Sequence, residues 1–498
     1  MLTKKQKIAQ CFSPAAFVHD SEENHQKLVQ LIREEEIGSL TFFHSRHSAA
    51  ANFESRAEVL DFNGTLEKLV GLINRFQSIS KIPLLICIDA EYGLAMRIEK
   101  TPQYPFAITL GALQEDAEKW VEEVGYRMGM DLKRAGIHLN FAPCADVNTN
   151  PNNPVIGYRS FGDDPEKVSR LAFANYKGMK NAGIGACFKH FPGHGDTAVD
   201  SHLGLPILNK SLSELESEEL FPFQYGVDRG VELIMVGHLA VPALSGGKEV
   251  PASISREIIT DFLKGKKGFK GLVVSDALNM KAVANHFPEP GQLEWEAFHA
   301  GNDLLCFSDH VKEGITKIAE KASEEEVEVV FQKIMGLKKQ LGIFDFQPIS
   351  VPNFDWNAHQ KLQKSLAENY VSVISGRIDS KILQDLAHAG KLAFCEYFTS
   401  QKSRFAKMLD YDFASLDQAE KVLISVFVPS HKPLNQFGMD ESILEEIKSL
   451  TQSKSCILIH FGNPLALKHL GELSNFEAVV CAYQNFEETQ EVTAGLFV

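Results

Sequence analysis

Eight short apolar runs, each followed by a stretch of helical periodicity, recur between residue 1 and about residue 345, and this alternation constrains the chain more than any other feature. The runs are QCFSPA (10–15), GSLTFF (38–43), LLICID (84–89), IHLNFAPCAD (137–146), GIGACFKHF (183–191), ELIMVGH (232–238), GLVVSDA (271–277) and DLLCFSD (303–309). Strands separated by helices pair in parallel, and parallel strands covered on both faces read as continuous apolar runs. Eight such units are the number that closes a (β/α)8 barrel, so the expected fold class is α/β with an N-terminal TIM-like barrel. The segment EDAEKWVEEVGYRMGMDLKRAG (115–136) has apolar residues at steps of three and four and ends on Gly136, as an outer barrel helix does.

The periodicity lapses in FDFQPISVPNFDWNAHQKLQK, which carries two prolines. We therefore divide the chain into a barrel (1–345), a linker (346–366) and a second domain (367–498). The second domain repeats the alternation on a smaller scale, with YVSVIS (370–375), KLAFCEYF (391–398), KVLISVFVP (421–429), SCILIHFG (455–462) and AVVCAYQ (478–484). That pattern predicts a small parallel sheet between helices, an αβα sandwich. It holds no GxGxxG and no P-loop, so nucleotide binding has no support.

Composition narrows the function classes. Lys and Arg number 50 against 65 Asp and Glu, a net charge of -15, and no dense basic run supplies the attraction on which nucleic-acid affinity rests. No segment approaches the roughly 18 uninterrupted apolar residues of a membrane span. The first residues, MLTKKQKIAQCFSPAAF, lack a signal-like apolar core of about 7–15 residues. The eight cysteines are scattered singly without CxxC spacing, as buried thiols in a reducing compartment are. The expectation is a cytoplasmic protein with neither a nucleic-acid nor a membrane partner, and the sequence is silent on oligomeric state.

Polar residues gather directly after the barrel runs: Asp89, Glu91, Asp146, Asn148, Lys189, His190, His238, Asp276 and Asp309. The C-terminal rim of the strands is where such a barrel carries its active site, although an isolated Asp at a strand-to-helix turn also serves as a helix cap. The densest stretch is KHFPGHGDTAVDSHLGLP (189–206). A lysine at a strand end needs an acidic neighbour or a polar ligand. Asp200 and His202, one residue apart, can set a carboxylate beside an imidazole and fix its tautomer. A competing reading makes His190, His194 and His202 metal ligands with Asp196 or Asp200, but the spacing lacks a helical HxxxH with a neighbouring Glu. A purely structural loop is a third reading of the same residues.

KHFPGHGDTAVDSH, with NNPVIGYRSFGDDP (152–165), VVSDALNM (273–280) and CIDAEYGLAMRI (87–98), resembles glycoside hydrolase family 3 in its β-N-acetylglucosaminidase branch. The ending YQNFEETQEVTAGLF is similar to the family's αβα sandwich domain, though members commonly continue past GLFV, which implies an abbreviated C-terminus here. The resemblance implies a retaining hydrolase, independent of metal and of any cofactor. Its small-carbohydrate substrate is a terminal β-linked GlcNAc, often on a peptidoglycan fragment.

Residue by residue, the resemblance implies Asp276 as the nucleophile and His202, held by Asp200, as the acid/base. Asp89, Arg97, Arg159, Lys189 and His190 are implied as sugar-binding residues. The chemistry of these side chains agrees. A carboxylate can form a glycosyl ester that water later opens. An imidazole can protonate the leaving oxygen and then deprotonate the water. Asp89 can accept two hydroxyl hydrogens, while the arginines and the lysine can only donate. Asp146 and Asn148 read as loop-shaping residues, and Tyr158, Phe161 and His238 as candidates to line the pocket. A β-N-acetylglucosaminide phosphorylase on the same residues, a catalytically inactive sugar-binding sensor and a metal-dependent barrel hydrolase remain as alternatives.

Overall fold

Each of the eight expected barrel runs contains strand. In chain order these are β1 (Phe12–Ser13), β2 (Ala15–His19), β3 (Ser39–Ser45), β4 (Leu85–Ile88), β5 (Leu139–Asn140), β6 (Gly185–Ala186), β7 (Phe188–Phe191), β8 (Leu233–Val236), β9 (Leu272–Ser275) and β10 (Leu305–Cys306). The structure, a computed structural model, describes residues 2–45, 64–197 and 204–498. All pairings among these strands are parallel, in the ladders β2-β3-β4-β5-β6, β7-β8-β9 and β1-β10.

Single bridges, Val274 to Leu304 and Cys144 to Lys189, lie between the ladders. Among the described residues the strands therefore form an α/β fold of three parallel ladders, and backbone hydrogen bonds also link one ladder to the next: Cys187 N–H to the Ala142 carbonyl at 2.8 Å, Ser275 N–H to the Leu304 carbonyl at 3.0 Å and Thr41 N–H to the Pro14 carbonyl at 3.0 Å. The interruptions between ladders have a local cause. Pro14, between β1 and β2, has no N–H to give to a neighbour, and Pro143 follows β5 closely, so IHLNFAPCAD contributes only two ladder residues.

The chain divides into two compact units. The first comprises Met1–Tyr104, Glu118–Asn150 and Ser160–Phe354. Its strands are buried: Leu85 to Ile88, Leu233 to Val236 and Val273 to Ser275 show almost no solvent exposure, which explains their continuous apolar sequence.

Two of its helices, Ala117–Arg134 and Pro165–Ala182, touch backbone to backbone. A Cβ at Gly178 would stand 2.1 Å from the Glu122 carbonyl oxygen and one at Gly125 would stand 2.3 Å from that of Asn175, so only glycine fits at either position. The second of these helices starts on Asp164, whose side chain accepts from Lys167 N–H, followed by Pro165, and it stops at left-handed Gly183.

Helix Glu324–Gln340 opens on a Ser323/Glu326 capping box and carries Lys338 into the core. The Lys338 ammonium donates to Gln10 Oε1 at 2.8 Å and to the Pro83 carbonyl at 2.9 Å, both neutral acceptors.

The second unit comprises Pro105–Ala117, Pro151–Arg159 and Asp355–Val498. Two segments from the first half of the chain thus belong to it. Asn369 Oδ1 accepts from Gln114 N–H at 2.7 Å, Gln484 donates to Thr109 Oγ1 at 3.0 Å, and Lys468 reaches Asn152 Oδ1 at 2.5 Å. Of the stretch read as a linker, residues 356–366 lie in helix Trp356–Tyr370.

The sheet of the second unit runs β11 (Ser372–Gly376), β15 (Ala478–Cys481), β14 (Ser455–Phe461), β13 (Lys421–Phe427) and β12 (Leu392–Tyr397) in spatial order. Strands β12 to β15 are parallel, with apolar clusters on both faces. The expectation of an all-parallel sheet needs one correction, because β11 pairs antiparallel with β15. It is an edge strand, and Val373 and Ile374 keep 39% and 41% of their surface exposed, unlike the buried interior strands. Among the described residues no helix is long and apolar enough to cross a membrane.

Candidate active site

The strand ends of the first unit bring ionisable side chains together from distant parts of the sequence. Lys189, on β7, is almost fully buried, and its ammonium lies 2.7 Å from Asp89 Oδ1 and 2.6 Å from Glu91 Oε1. A lysine in the interior demands such partners. Both acids come from the turn that follows β4, and this turn is itself tied down. Arg97 Nε donates to the Asp89 carbonyl at 3.0 Å while its guanidinium lies 3.6 Å from the centre of the Phe43 ring, a stacked cation–π contact.

A second cluster centres on Asp146, which has no solvent exposure. Its Oδ2 is 2.7 Å from His190 Nδ1 and accepts the Cys144 thiol at 3.0 Å. The backbone N–H groups of His190 and His194 also donate to it, at 3.1 and 2.7 Å. Burial opposes the charge of Asp146, but the neighbouring His190 and these donors outweigh it and hold the carboxyl well below its usual range. Asp146 thereby fixes the path of the KHFPGH loop as well as the His190 ring. His194 is buried beside it, 2.6 Å from Thr197 Oγ1 through Nδ1. Burial, then the adjacent His190, pulls its pKa down to about 4.

Cys144, Asp146 and His190 offer a thiol, a carboxylate and an imidazole nitrogen within 4.8 Å of one another, the only such metal-ligand group among the described residues. Both carboxylate oxygens are already engaged by the protein's own donors. A cation would have to displace the thiol proton and the His190 hydrogen bond to enter.

Asp276 immediately follows β9 and is half-buried. Its N–H donates to the Val236 carbonyl at 3.0 Å, and its Oδ1 accepts from Ala277 N–H at 2.7 Å. Like Asp89 and Lys189, it stands at a strand end of the first unit. The carboxylates of Asp89 and Asp276, after burial itself, both push the Cys306 thiol up, and Asp276 also acts on His194.

Of the residues singled out from the sequence, Asp89, Arg97, Lys189, His190 and Asp276 are thus gathered at the strand ends of the first unit. Arg159 belongs to the second unit, where its Nη1 donates to the Val155 carbonyl at 3.2 Å. Asp200 and His202 lie outside the described residues. Tyr158 also belongs to the second unit, its ring centre 4.9 Å from those of Phe106 and His431. Phe161 is a core residue.

Sequence reasoning gave Glu91 no role beyond its place in the rim, yet it makes the shorter of the two Lys189 contacts. The rule that a strand-end lysine needs an acid pointed toward it, but Asp89 alone already met that rule.

A buried cation held between carboxylates, with a further half-buried carboxylate at another strand end, is an arrangement that can both accept and donate hydrogen bonds. The glycosyl hydrolase family 3 N-terminal domain matches residues 3–336, and the chain belongs to that family. It is 38% identical over 242 residues to the β-hexosaminidase of Tolumonas auensis, covering 48% of this chain and 70% of that protein. It is 35% identical over 291 residues to β-hexosaminidase A of Pseudoalteromonas piscicida, covering 56% of this chain. The match spans about half of that relative's length (47%). The fold is also that of a glycoside hydrolase family 3 β-N-acetylglucosaminidase from Paenibacillus sp. str. FPU-7, with a TM-score of 0.78 at 23% identity over 100% of this chain and 97% of the other.

Proposed function

We propose that the protein is a retaining exo-β-N-acetylglucosaminidase that removes terminal β-linked GlcNAc by double displacement. In the first step a carboxylate oxygen of Asp276 attacks the anomeric carbon as its bond to the leaving oxygen breaks, and His202 gives that oxygen a proton. In the second, water attacks the glycosyl ester while His202 takes its proton, releasing GlcNAc with its β configuration and restoring the Asp276 carboxylate. Asp200 holds the imidazole in the required tautomer. Asp89, Lys189, His190 and Arg97 bind the sugar.

The observation that carries the reading is Asp276 itself. Its carboxylate is oriented by the Ala277 N–H at 2.7 Å at a half-buried strand end, while Asp89 and Glu91 are both paired to Lys189 and Asp146 to His190. Pairing to a fixed cationic or imidazole partner makes Asp89, Glu91 and Asp146 the poorer nucleophiles. The names of the relatives support the sugar: both are β-hexosaminidases. We further propose a cytoplasmic enzyme acting on peptidoglycan fragments. All eight cysteines are free and seven are buried, which suits a reducing compartment.

The acid/base assignment is tested by leaving-group dependence. His202→Ala should lower kcat/KM on a natural disaccharide far more than on an activated aryl glycoside, because only the poor leaving group needs a proton. Equal losses on both would remove His202 from that role.

A further inference from the structure

His238 follows β8 by two residues and is wholly buried. Its Nε2 lies 2.8 Å from the carbonyl oxygen of Ala277, the residue after Asp276, and its Nδ1 lies 2.6 Å from Ser253 Oγ. A carbonyl can only accept, so Nε2 carries the hydrogen, and Nδ1 is then left to accept the Ser253 hydroxyl. The two contacts together define one tautomer and one ring orientation.

Ser253 is fixed in turn. It sits in the short turn Ala252–Ile254, its carbonyl accepts from Asn302 Nδ2 at 2.8 Å, and the same nitrogen donates to the Ala297 carbonyl at 2.6 Å. Ser253 and Asn302 are both fully buried.

At the other end of this relay, both polar backbone groups of Ala277 are engaged. Its N–H orients the Asp276 carboxylate at 2.7 Å, and its carbonyl takes His238 Nε2 together with Met280 N–H at 3.0 Å. Strand β8 already holds Asp276 once, through Val236. His238 extends that hold past the strand end.

Resting on the reading of Asp276 as nucleophile, we infer that His238, fixed by Ser253, is a positioning residue for it, clamping the Ala277 backbone so that the carboxylate keeps its attack geometry. The role predicts a kinetic signature that an ordinary core histidine would lack. Displacing a reacting group by about 1 Å costs on the order of 100-fold in rate without altering ground-state sugar binding.

The test compares His238→Asn, His238→Gln and Ser253→Ala with the wild-type full chain. Asparagine keeps an acceptor near the Nδ1 position but is too short to reach the Ala277 carbonyl, whereas glutamine keeps an N–H near the Nε2 position. The readouts are kcat and KM on an aryl β-N-acetylglucosaminide, the affinity for free GlcNAc, and the melting temperature. The expected result is a fall in kcat of roughly 10- to 100-fold for His238→Asn, with GlcNAc affinity within about twofold of wild type, and substantial recovery in His238→Gln.

Wild-type kcat in His238→Asn would overturn the inference. So would equal losses in both variants accompanied by loss of GlcNAc affinity, since that is the mark of a purely structural core residue. If His238→Asn does not fold, Ser253→Ala decides, with a smaller fall in kcat at unchanged GlcNAc affinity expected and an unchanged kcat contradicting the role. Asp276→Asn is measured alongside. Full activity there would overturn the nucleophile and this inference together, whereas an inactive Asp276→Asn beside a fully active His238→Asn would overturn the inference alone.

Discussion

Lys189 and Glu91 form a 2.6 Å ion pair in which neither side chain keeps as much as a tenth of its surface exposed. Asp89 contacts the same ammonium at 2.7 Å but is the more open of the two acids, with 23% of its side chain exposed. The difference suggests a division of labour. Glu91 is the buried counter-charge of the lysine, and Asp89 is the acid more open to solvent, which suits the sugar-binding role proposed for it.

This arrangement predicts losses of different size for two variants. Lys189→Met leaves two carboxylates facing an uncharged side chain, and breaking a buried pair of this kind costs about 3–5 kcal/mol of stability. Glu91→Gln keeps the shape and one acceptor oxygen and should cost about 1–3 kcal/mol. Urea unfolding of both, with GlcNAc titration of each, checks the order.

Asp146 and His194 predict how the protein fails in acid. His194 has a folded pKa of about 4, below the roughly 6.5 of an unfolded histidine, so the unfolded chain takes the proton first and stability falls as pH drops between those values. The Asp146 pKa is depressed on folding. Its contribution is fully present above the unfolded value of about 3.9 and is lost as pH falls further. Unfolding midpoints from pH 7 to 2 should therefore decline in two stages, the second beginning only below about pH 3.9. Asp146→Asn should lower stability by about 3 kcal/mol at neutral pH and abolish the lower stage.

Lys338 predicts the alkaline side. Burial lowers its pKa to about 7, so between about pH 7 and the roughly 10.4 of an exposed lysine the unfolded chain holds more protons. Stability contributed at this position therefore rises with pH across that window, the reverse of an ordinary ion-paired lysine. Melting temperature plotted against pH from 7 to 10 should climb more steeply in wild type than in Lys338→Met. Parallel curves would show that the amine does not titrate in that window.

The strands were the legible part of this fold, because burial on both faces writes an unbroken apolar run. Runs such as LLICID and ELIMVGH therefore locate β4 and β8 closely. The antiparallel β11 was not legible, since YVSVIS is as apolar as its neighbours and strand direction leaves no mark in composition.

The site divides in the same way. Asp276 and Lys189 stand out as polar residues closing apolar runs. The partnership of Asp146 with His190, 44 residues later, depends on two strand ends meeting in space. Nothing in the local text around Asp146 separates such a residue from a helix cap. His238 likewise looks like any polar residue after a strand until Ser253 and Ala277 are seen on either side of it. The segments 105–117 and 151–159 show no composition break, so their membership of the second unit could not be read from the chain.

The central claim, hydrolysis of a terminal β-GlcNAc through Asp276, is tested most directly by aryl β-N-acetylglucosaminide turnover in wild type and Asp276→Asn, with products identified with and without inorganic phosphate. Wild type should release free GlcNAc at a rate indifferent to phosphate, and Asp276→Asn should lose roughly 1,000-fold or more, since removal of a nucleophile acting within a catalytic group costs at least that much. Phosphate-dependent release of GlcNAc-1-phosphate, no turnover by the wild type, or an Asp276→Asn variant as active as wild type would contradict the claim.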